Sequence, residues 1–408
     1  MRILLVSPRT GRNRFLSPPT GLWRIKGWLD AKTSHETDVW DPNIEKEPDV
    51  ASYDIVGATC LYGSWRDTLA DLRPRARILV AGGPEATFNP EVAQHADIVV
   101  RGQGEKPMQE IADGKTPRTP IPMTHREFLE ATLATDYDQM RCERYWEANA
   151  ESGVAKNRHE ANAIHVTQSD RCGGECVFCS QRENRRLHAQ TYAISAEAAA
   201  EQIQMIANTY PDLRRIIIRD DDALHSPDRM KAMCSLIENR IRDDIDMCCS
   251  ARCSSTDADT LDAMKAANFA QIGYGAEHFS DRVLSWMRKR CTAAQNHAAI
   301  RATIQRGITP IINAIMWPPE MSRDDIETNI EALQQYRKTA LLSINDCLIS
   351  LHGTELAEKY PIGDVEPRGW RRQFAEYRRR VGWETGSGGM NNQDVSIIKL
   401  DAARAAMR

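Results

Sequence analysis

Residues Arg171–Ser180 read RCGGECVFCS, with Cys172, Cys176 and Cys179 in C-x3-C-x2-C spacing and Phe178 just before the last cysteine. Three thiolates on one short loop can hold three irons of a cubane [4Fe–4S] cluster, which four cysteines ordinarily bind. The fourth iron then keeps an open position, as a catalytic rather than a structural metal site does. A zinc knuckle completed by His188 or another cysteine, or three reduced thiols, are the alternatives for the same residues.

The bulk of the chain narrows the class. At 408 residues it has room for two or three domains with their own cores. Its net charge is −4, with both signs mixed along the chain, which argues against a dedicated nucleic-acid protein. No apolar stretch approaches the ~20 residues of a membrane span. The opening MRILLVSPRTGRNRF reads as a short buried strand and a polar loop, too short in its apolar part for a signal peptide. Eleven cysteines, an odd number with three clustered, fit metal binding better than a disulfide framework. A cytoplasmic location is expected.

Outward from the cysteine loop, both halves of the chain alternate strand and helix patterns. In the first 110 residues the strands are expected at Arg2–Ser7, Glu36–Asp41, Ile55–Thr59, Arg77–Ala81 and Ile98–Val100. Helices are expected at Gly21–Ala31, Ser64–Leu72 and Pro90–Ala96. This βαβ order implies a doubly wound parallel sheet, Rossmann-like, whose ligand lies beyond the carboxyl ends of its strands. The loops there hold Ser7, then Thr59, Leu61, Tyr62 and Ser64, then Gly82, Gly83 and Pro84, and last Gly102, Gly104 and Glu105. Glycines at such places allow close backbone approach to a bulky ligand, although many strand–helix turns use glycine for geometry alone. From Pro107 to about Asn162 the pattern dissolves, apart from a charged helix near Arg126–Leu133, and reads as a crossover between domains.

The second half places strands at Ala163–Thr167, Arg215–Arg219, Met247–Ala251, Gln271–Gly275, Pro310–Met316 and Leu341–Asn345. Helical periodicity fills 195–208, 227–240, 257–267, 280–288, 293–305 and 323–336. Six β–α units fit a partial (β/α)6 barrel better than a closed eightfold one. Asp221, Asp222, Arg252 and Glu277 fall at strand carboxyl ends, where barrels place ligand-binding groups. The plainer reading makes them helix caps or surface ion pairs. Cys248, Cys249 and Cys253 straddle a strand and read as buried free thiols.

The cysteine loop and its aromatic resemble those of the radical S-adenosylmethionine (radical SAM) enzymes, and the likeness extends along the chain. Pro18–Trp23, Asp41, Asp54–Gly57, A-G-G-P-E and R-G-Q-G-E are similar to the cobalamin-binding domain found ahead of many radical SAM domains. Gln103 stands where that family usually has Glu, and the D-x-H-x-x-G motif of another cobalamin class is absent. Asp221-Asp222 resembles the family's D-D turn, Ser250–Arg252 its third strand end, and Gly275–Glu277 with Lys289 its G-x-E-S segment, with His278 in place of serine. Gly353–Leu356 resembles its P-G-T-E-L turn, with His352 in place of proline. The turn Trp317–Ser322 departs from the family's G-x-P-G-E-T.

The resemblance implies a cobalamin-binding domain over 1–115, a linker over 116–160, a radical SAM partial barrel over 161–357 and a short C-terminal extension over 358–408. It implies Cys172, Cys176 and Cys179 on a [4Fe–4S] cluster, and Asp221, Asp222, Arg252, Glu277 and Phe178 about SAM. The loop residues of the first sheet would contact cobalamin, with no histidine on cobalt. It implies a methyltransferase in which methylcobalamin delivers a SAM-derived methyl group to an unactivated carbon or phosphorus. Non-methylating relatives that cyclise, contract rings or insert atoms are the alternative, and a non-catalytic cobalamin or iron–sulfur sensor a more distant one. Partners would be a small-molecule or peptide substrate and an electron donor such as flavodoxin or ferredoxin. The stretch beyond Gly353 is about fifty-five residues, basic at Arg368–Arg380 and glycine-rich at Gly386–Gly389. It suggests an open site that admits a peptide or tethered substrate, and the basic run reads as a solvated helix face.

Overall fold

Side-chain alternation builds the first sheet. In β1 (Arg2–Val6), Ile3 and Leu5 point to one face and Leu4 and Val6 to the other, all four buried. β2 (Glu36–Trp40), β3 (Ile55–Thr59), β4 (Leu79–Gly82) and β5 (Ile98–Val99) complete a five-stranded sheet in the order β2-β1-β3-β4-β5. Every pairing is parallel, with Ile3 opposite Ile55 and Val56 opposite Leu79.

Helices cover both faces. α1 (Thr20–Lys32) brings Leu22 and Leu29 against Ile3 and Leu5. α2 (Trp65–Leu72) packs Trp65, Leu69 and Leu72 on the opposite face with Leu4 and Val6. α3 (Pro84–Phe88) follows β4, and α4 (Glu105–Ala112) adds Met108 and Ile111 to the α1 side.

The structure is a computed structural model that describes residues 1–10, 15–155, 158–188, 190–238 and 240–365. The basic run Arg368–Arg380, Trp370, Trp383 and Gly386–Gly389 lie outside the described residues, as does most of the extension expected over 358–408.

The stretch from Pro107 to about Asn162 holds the charged helix expected there, α5 (His125–Leu133), and three helices the pattern did not announce: α4, α6 (Cys142–Glu151) and α7 (Arg158–Ala161). α5 opens on a full capping box, in which Thr124 accepts from the Glu127 N–H and Glu127 accepts from the Thr124 N–H. A-G-G-P-E-A is likewise more than a loop: Pro84 sits in the first turn of α3, where its missing N–H costs nothing.

The strands of the second half all form: β6 (Ala163–Val166), β7 (Arg215–Ile218), β8 (Asp246–Ala251), β9 (Phe269–Glu277), β10 (Thr309–Trp317) and β11 (Leu341–Ser350). They alternate with α8 (Ser180–His188), α9 (Ala196–Thr209), α10 (Pro227–Ile237), α11 (Ala258–Ala266), α12 (Asp281–Trp286), α13 (Ala293–Gln305) and α14 (Arg323–Tyr336). α15 (Glu355–Lys359) and β12 (Gly363–Val365) close the described chain. β8, β9, β10 and β11 are parallel neighbours in that order, and β12 runs antiparallel on β11.

By internal contacts the chain divides into Met1–Asp170 with Glu183–Ile217, and Arg171–Arg182 with Ile218–Arg408. No helix among the described residues is long and apolar enough to cross a membrane.

Candidate active site

The cysteine loop is held by its backbone. Val177 N–H donates to Met287 O at 3.1 Å, just past α12, and Val177 O accepts from Leu356 N–H at 3.0 Å in α15. Phe178 packs against an apolar cluster of Val283, Met287, Ile315, Leu348 and Leu356. Arg182, in the first turns of α8, donates both terminal nitrogens to Glu355 at 3.1 Å.

Two of the sulfurs face one glycine. A Cβ on Gly174 would lie 3.4 Å from Cys172 Sγ and 3.6 Å from Cys176 Sγ, and Gly174 N–H points at Cys172 Sγ at 3.4 Å. Burial pushes the Cys176 thiol up to about 11, while Lys289 pulls it down and Glu277 and Cys179 push it further up. These donors fit a cluster: thiols whose deprotonation burial opposes become thiolates when iron takes the charge.

Cations gather on the same loop. Arg252, at the end of β8, is buried, and its Nη1 lies 3.1 Å from a Cβ placed on Gly173. Its Nη2 donates to the carbonyls of Lys289 and Arg290, whereas its buried Nε has no partner among the described residues. Lys289 Nζ donates to Glu277 Oε1 at 3.0 Å. Burial works to lower the Lys289 pKa, but the Glu277 carboxylate and the Cys176 sulfur outweigh it and hold it up. The backbone here is unusual: Glu277, Arg288 and Arg290 have φ of 62°, 51° and 52°, left-handed values that side chains rarely adopt.

The two aspartates differ. Asp222 is buried and spends both oxygens on its neighbours: Oδ1 accepts from Arg252 N–H at 3.1 Å and Oδ2 from Ser255 Oγ at 2.7 Å. Asp221 beside it is half-buried. His278, the residue in the serine position, is wholly buried, and its Nδ1 accepts from Ser280 N–H at 3.0 Å. Cys248, Cys249 and Cys253 are buried thiols outside any disulfide, with Cys248 Sγ donating to Gln271 Oε1, and burial pushes Cys249 and Cys253 far up.

In the first sheet, the order β2-β1-β3 reverses direction of growth between β1 and β3, which opens a crevice at their carboxyl ends. Ser7 follows β1, Thr59 ends β3 with Leu61, Tyr62 and Ser64 after it, and Gly82 ends β4 with Gly83 and Pro84 leading into α3. Among the described residues nothing lies within 4 Å of a would-be Cβ on Gly63 or Gly82, which leaves room for a bulky group. Gly83 is different: at φ 92° its would-be Cβ lies 3.1 Å from Cys60 O, so a side chain there is both strained and crowded by backbone. Gly102, at φ 77°, has its N–H on Thr87 Oγ1 at 3.0 Å. Gly104 abuts Ile25, and Glu105 is buried and paired with Arg24 Nε at 2.8 Å, so its carboxylate faces α1.

The sequence reading names Lys289 only within the G-x-E-S resemblance and His188 only as an alternative zinc ligand, and the structure gives each a different contact. Lys289 lies in an Arg-Lys-Arg run, is buried, and is flanked on both sides by a positive-φ residue. His188 makes its hydrogen bond to Gln103 N–H, at 3.3 Å.

Residues 166–333 match the sequence model of the radical SAM superfamily. An uncharacterized methyltransferase from Pyrococcus horikoshii is 24% identical over 371 residues, spanning 81% of this chain and 77% of that protein. Among solved structures, the fold is similar to the radical S-adenosylmethionine methyltransferase TsrM from Kitasatospora setae with cobalamin and a [4Fe–4S] cluster bound. The TM-score is 0.68 at 14% identity, over 88% of this chain and 74% of that one. TsrM with tryptophan substrate and a SAM analogue gives 0.69 at 15%, over 93% and 82%. The cobalamin-dependent S-adenosylmethionine radical enzyme OxsB, with aqua-cobalamin bound, gives 0.66 at 14%, over 94% and 62%. At these identities the likeness to the solved structures is one of fold.

Proposed function

We propose that this chain, which carries a radical SAM domain, is a cobalamin-dependent radical SAM methyltransferase. It moves a methyl group from SAM to an unactivated carbon or phosphorus of a small-molecule or peptide substrate. The observation that carries the reading is one chain with both parts. A C-x3-C-x2-C loop, with two of its sulfurs beside Gly174 and with Arg252 and Lys289 acting on Cys176, follows a β2-β1-β3-β4-β5 sheet with glycine-lined strand ends. On this reading cobalamin belongs to residues 1–115, a linker to 116–160, the barrel to 161–357 and an extension to 358–408.

When bound, the cluster, SAM and cobalamin supply a 5′-deoxyadenosyl radical and a methyl carrier. The chain's own residues bind and orient them. Cys172, Cys176 and Cys179 hold the cluster, while Lys289 and Arg252 place positive charge beside Cys176. Arg252 keeps its Nε for a carboxylate such as that of SAM, and Asp222 acts through Arg252 by fixing its backbone. Asp221 and Glu277 are the carboxylates assigned to the SAM ammonium or ribose, with Phe178 anchoring the loop on its apolar cluster. Ser7, Thr59, Leu61, Tyr62, Ser64, Gly82, Gly83, Pro84, Gly102 and Gly104 form the cobalamin cradle, and Glu105, turned to Arg24, braces it from behind. A low-potential donor of the flavodoxin or ferredoxin kind supplies the electron.

The test is anaerobic: reconstitute with iron, sulfide and cobalamin, add SAM and a low-potential reductant, and quantify both SAM-derived products by mass spectrometry. Formation of 5′-deoxyadenosine and S-adenosylhomocysteine together, both reduced in Cys176→Ala, is the expected result. Deoxyadenosine alone would replace methyl transfer with a non-methylating radical reaction. Neither product from protein with an intact cluster would overturn the enzyme reading.

A further inference from the structure

His188 is the last residue of α8 and only 7% exposed. The Cε1–Nε2 edge of its ring lies against Gly102: a Cβ there would fall 2.5 Å from His188 Cε1 and 2.6 Å from Nε2. Gln103 N–H donates to His188 Nε2 at 3.3 Å. A neutral imidazole that accepts at Nε2 carries its proton on Nδ1. Burial keeps this ring neutral, holding its pKa below the usual value against the pull of Asp170 and Glu105.

The Nδ1–H so defined is buried and has no partner among the described residues, and the same holds for Gln103 Oε1. One donor and one acceptor are thus orphaned at a single glycine turn. Buried polar groups are nearly always paired, and a lone orphan here could be an accident of local packing, whereas a complementary couple points to a ligand. Nδ1–H asks for a carbonyl oxygen and Oε1 asks for an N–H. A primary carboxamide offers both, and the rim of a corrin ring carries several.

We propose that His188 and Gln103 form a subsite for the carboxamide side chains of the corrin ring, with Nδ1–H donating to amide oxygen and Oε1 accepting from amide nitrogen. This rests on the reading of the chain as a cobalamin enzyme. It gives the glycine turn a recognition role through side chains, beyond backbone approach. It also places a histidine at the corrin rim, away from cobalt.

The test is binding, read by the visible absorption of the corrinoid during titration of the purified chain. Hydroxocobalamin is compared with cobinamide, which keeps the corrin amides and lacks the nucleotide tail. His188→Ala and Gln103→Leu should each weaken both corrinoids about tenfold, the loss expected for one buried hydrogen bond. His188→Gln, which keeps a donor, should recover part of the loss. Far-UV circular dichroism and the apo melting temperature check that each variant folds, and Gln103→Leu stands in if His188→Ala does not. Unchanged affinity in folded variants would overturn the subsite while leaving the cobalamin reading intact. Weakened cobalamin with unchanged cobinamide would move the contact to the nucleotide tail and overturn the amide assignment. Wild-type protein that binds neither corrinoid would overturn the parent reading and the subsite together.

Discussion

Lys289 Nζ lies 3.0 Å from Glu277 Oε1, with the two side chains only 8% and 13% exposed. The pair joins the last residue of β9 to the turn after α12, and its cation is among the charges acting on Cys176. Removing one partner strands the other charge out of water, which typically costs about 3–5 kcal/mol. Lys289→Met should therefore lower unfolding free energy by about 3 kcal/mol, and Lys289→Met with Glu277→Gln should recover most of it. A denaturation cycle over the four proteins measures the coupling. Strictly additive losses would show that the contact carries no pairing energy.

The second clamp is Glu355. Arg182 and Arg288 both donate to its carboxylate, and the neighbouring Leu356 N–H holds the cysteine loop through Val177 O. Burial acts to raise the Glu355 pKa, but the two guanidinium groups outweigh it and hold it below the usual carboxylate range. The carboxylate is partly exposed, so its worth is modest, about 1 kcal/mol after solvent screening. Glu355→Ala should raise the rate at which Cys172 and Cys179 of the cluster-free protein are alkylated about fivefold. Equal alkylation rates, followed by peptide mass spectrometry, would exclude the clamp as what orders the loop.

Two glycines of α1 separate close packing from helix propensity. A Cβ on Gly27 would lie 1.8 Å from Ala134 O and 2.6 Å from Ala134 C, and backbone at the end of α5 cannot yield as a side chain can. Gly21 has nothing within 4 Å. Gly27→Ala should destabilise by about 3 kcal/mol despite alanine's better propensity. Gly21→Ala should stabilise by about 0.5–1 kcal/mol. Thermal melts decide it; two substitutions shifting the melting temperature in the same direction would contradict the packing.

These contacts mark where sequence reasoning stops. The alternation of Ile3 and Leu5 against Leu4 and Val6 exposes β1 and its two covered faces directly, because period two is visible in any buried strand. The cysteine spacing is equally legible, since one short loop must carry all three thiols. α4 was hidden by Pro107, which reads as a break but sits in the first turn, where proline is tolerated. α8 was hidden by its composition: S-Q-R-E-N-R-R-L-H has almost no apolar periodicity, so nothing announces that Arg182 and His188 turn inward. The strand-end acids Asp221 and Asp222 look alike in sequence, and only the fold gives Asp222 to Arg252 and Ser255.

The last prediction concerns acid. His278 is 0% exposed, and burial pushes its pKa down to about 4, with Asp325 pulling it up and Arg282 pushing it down. An unfolded histidine titrates near 6.5. Between about pH 6.5 and about pH 4 the unfolded chain therefore binds a proton that the native chain refuses. Stability rises with pH wherever the unfolded state holds more protons, so this residue's contribution is fully present above about pH 7 and drains away as pH falls to about 4. The total is on the order of 3 kcal/mol. Nδ1 already accepts from Ser280 N–H, so protonating it would set two donors against each other. His278→Asn keeps an acceptor and removes the titration. Denaturant midpoints at about pH 7 and about pH 5 should converge between the variant and the wild-type protein as acid is added, because only the wild type pays the histidine penalty. A constant gap between them across that range would mean that His278 takes up its proton as readily in the folded chain as in the unfolded one.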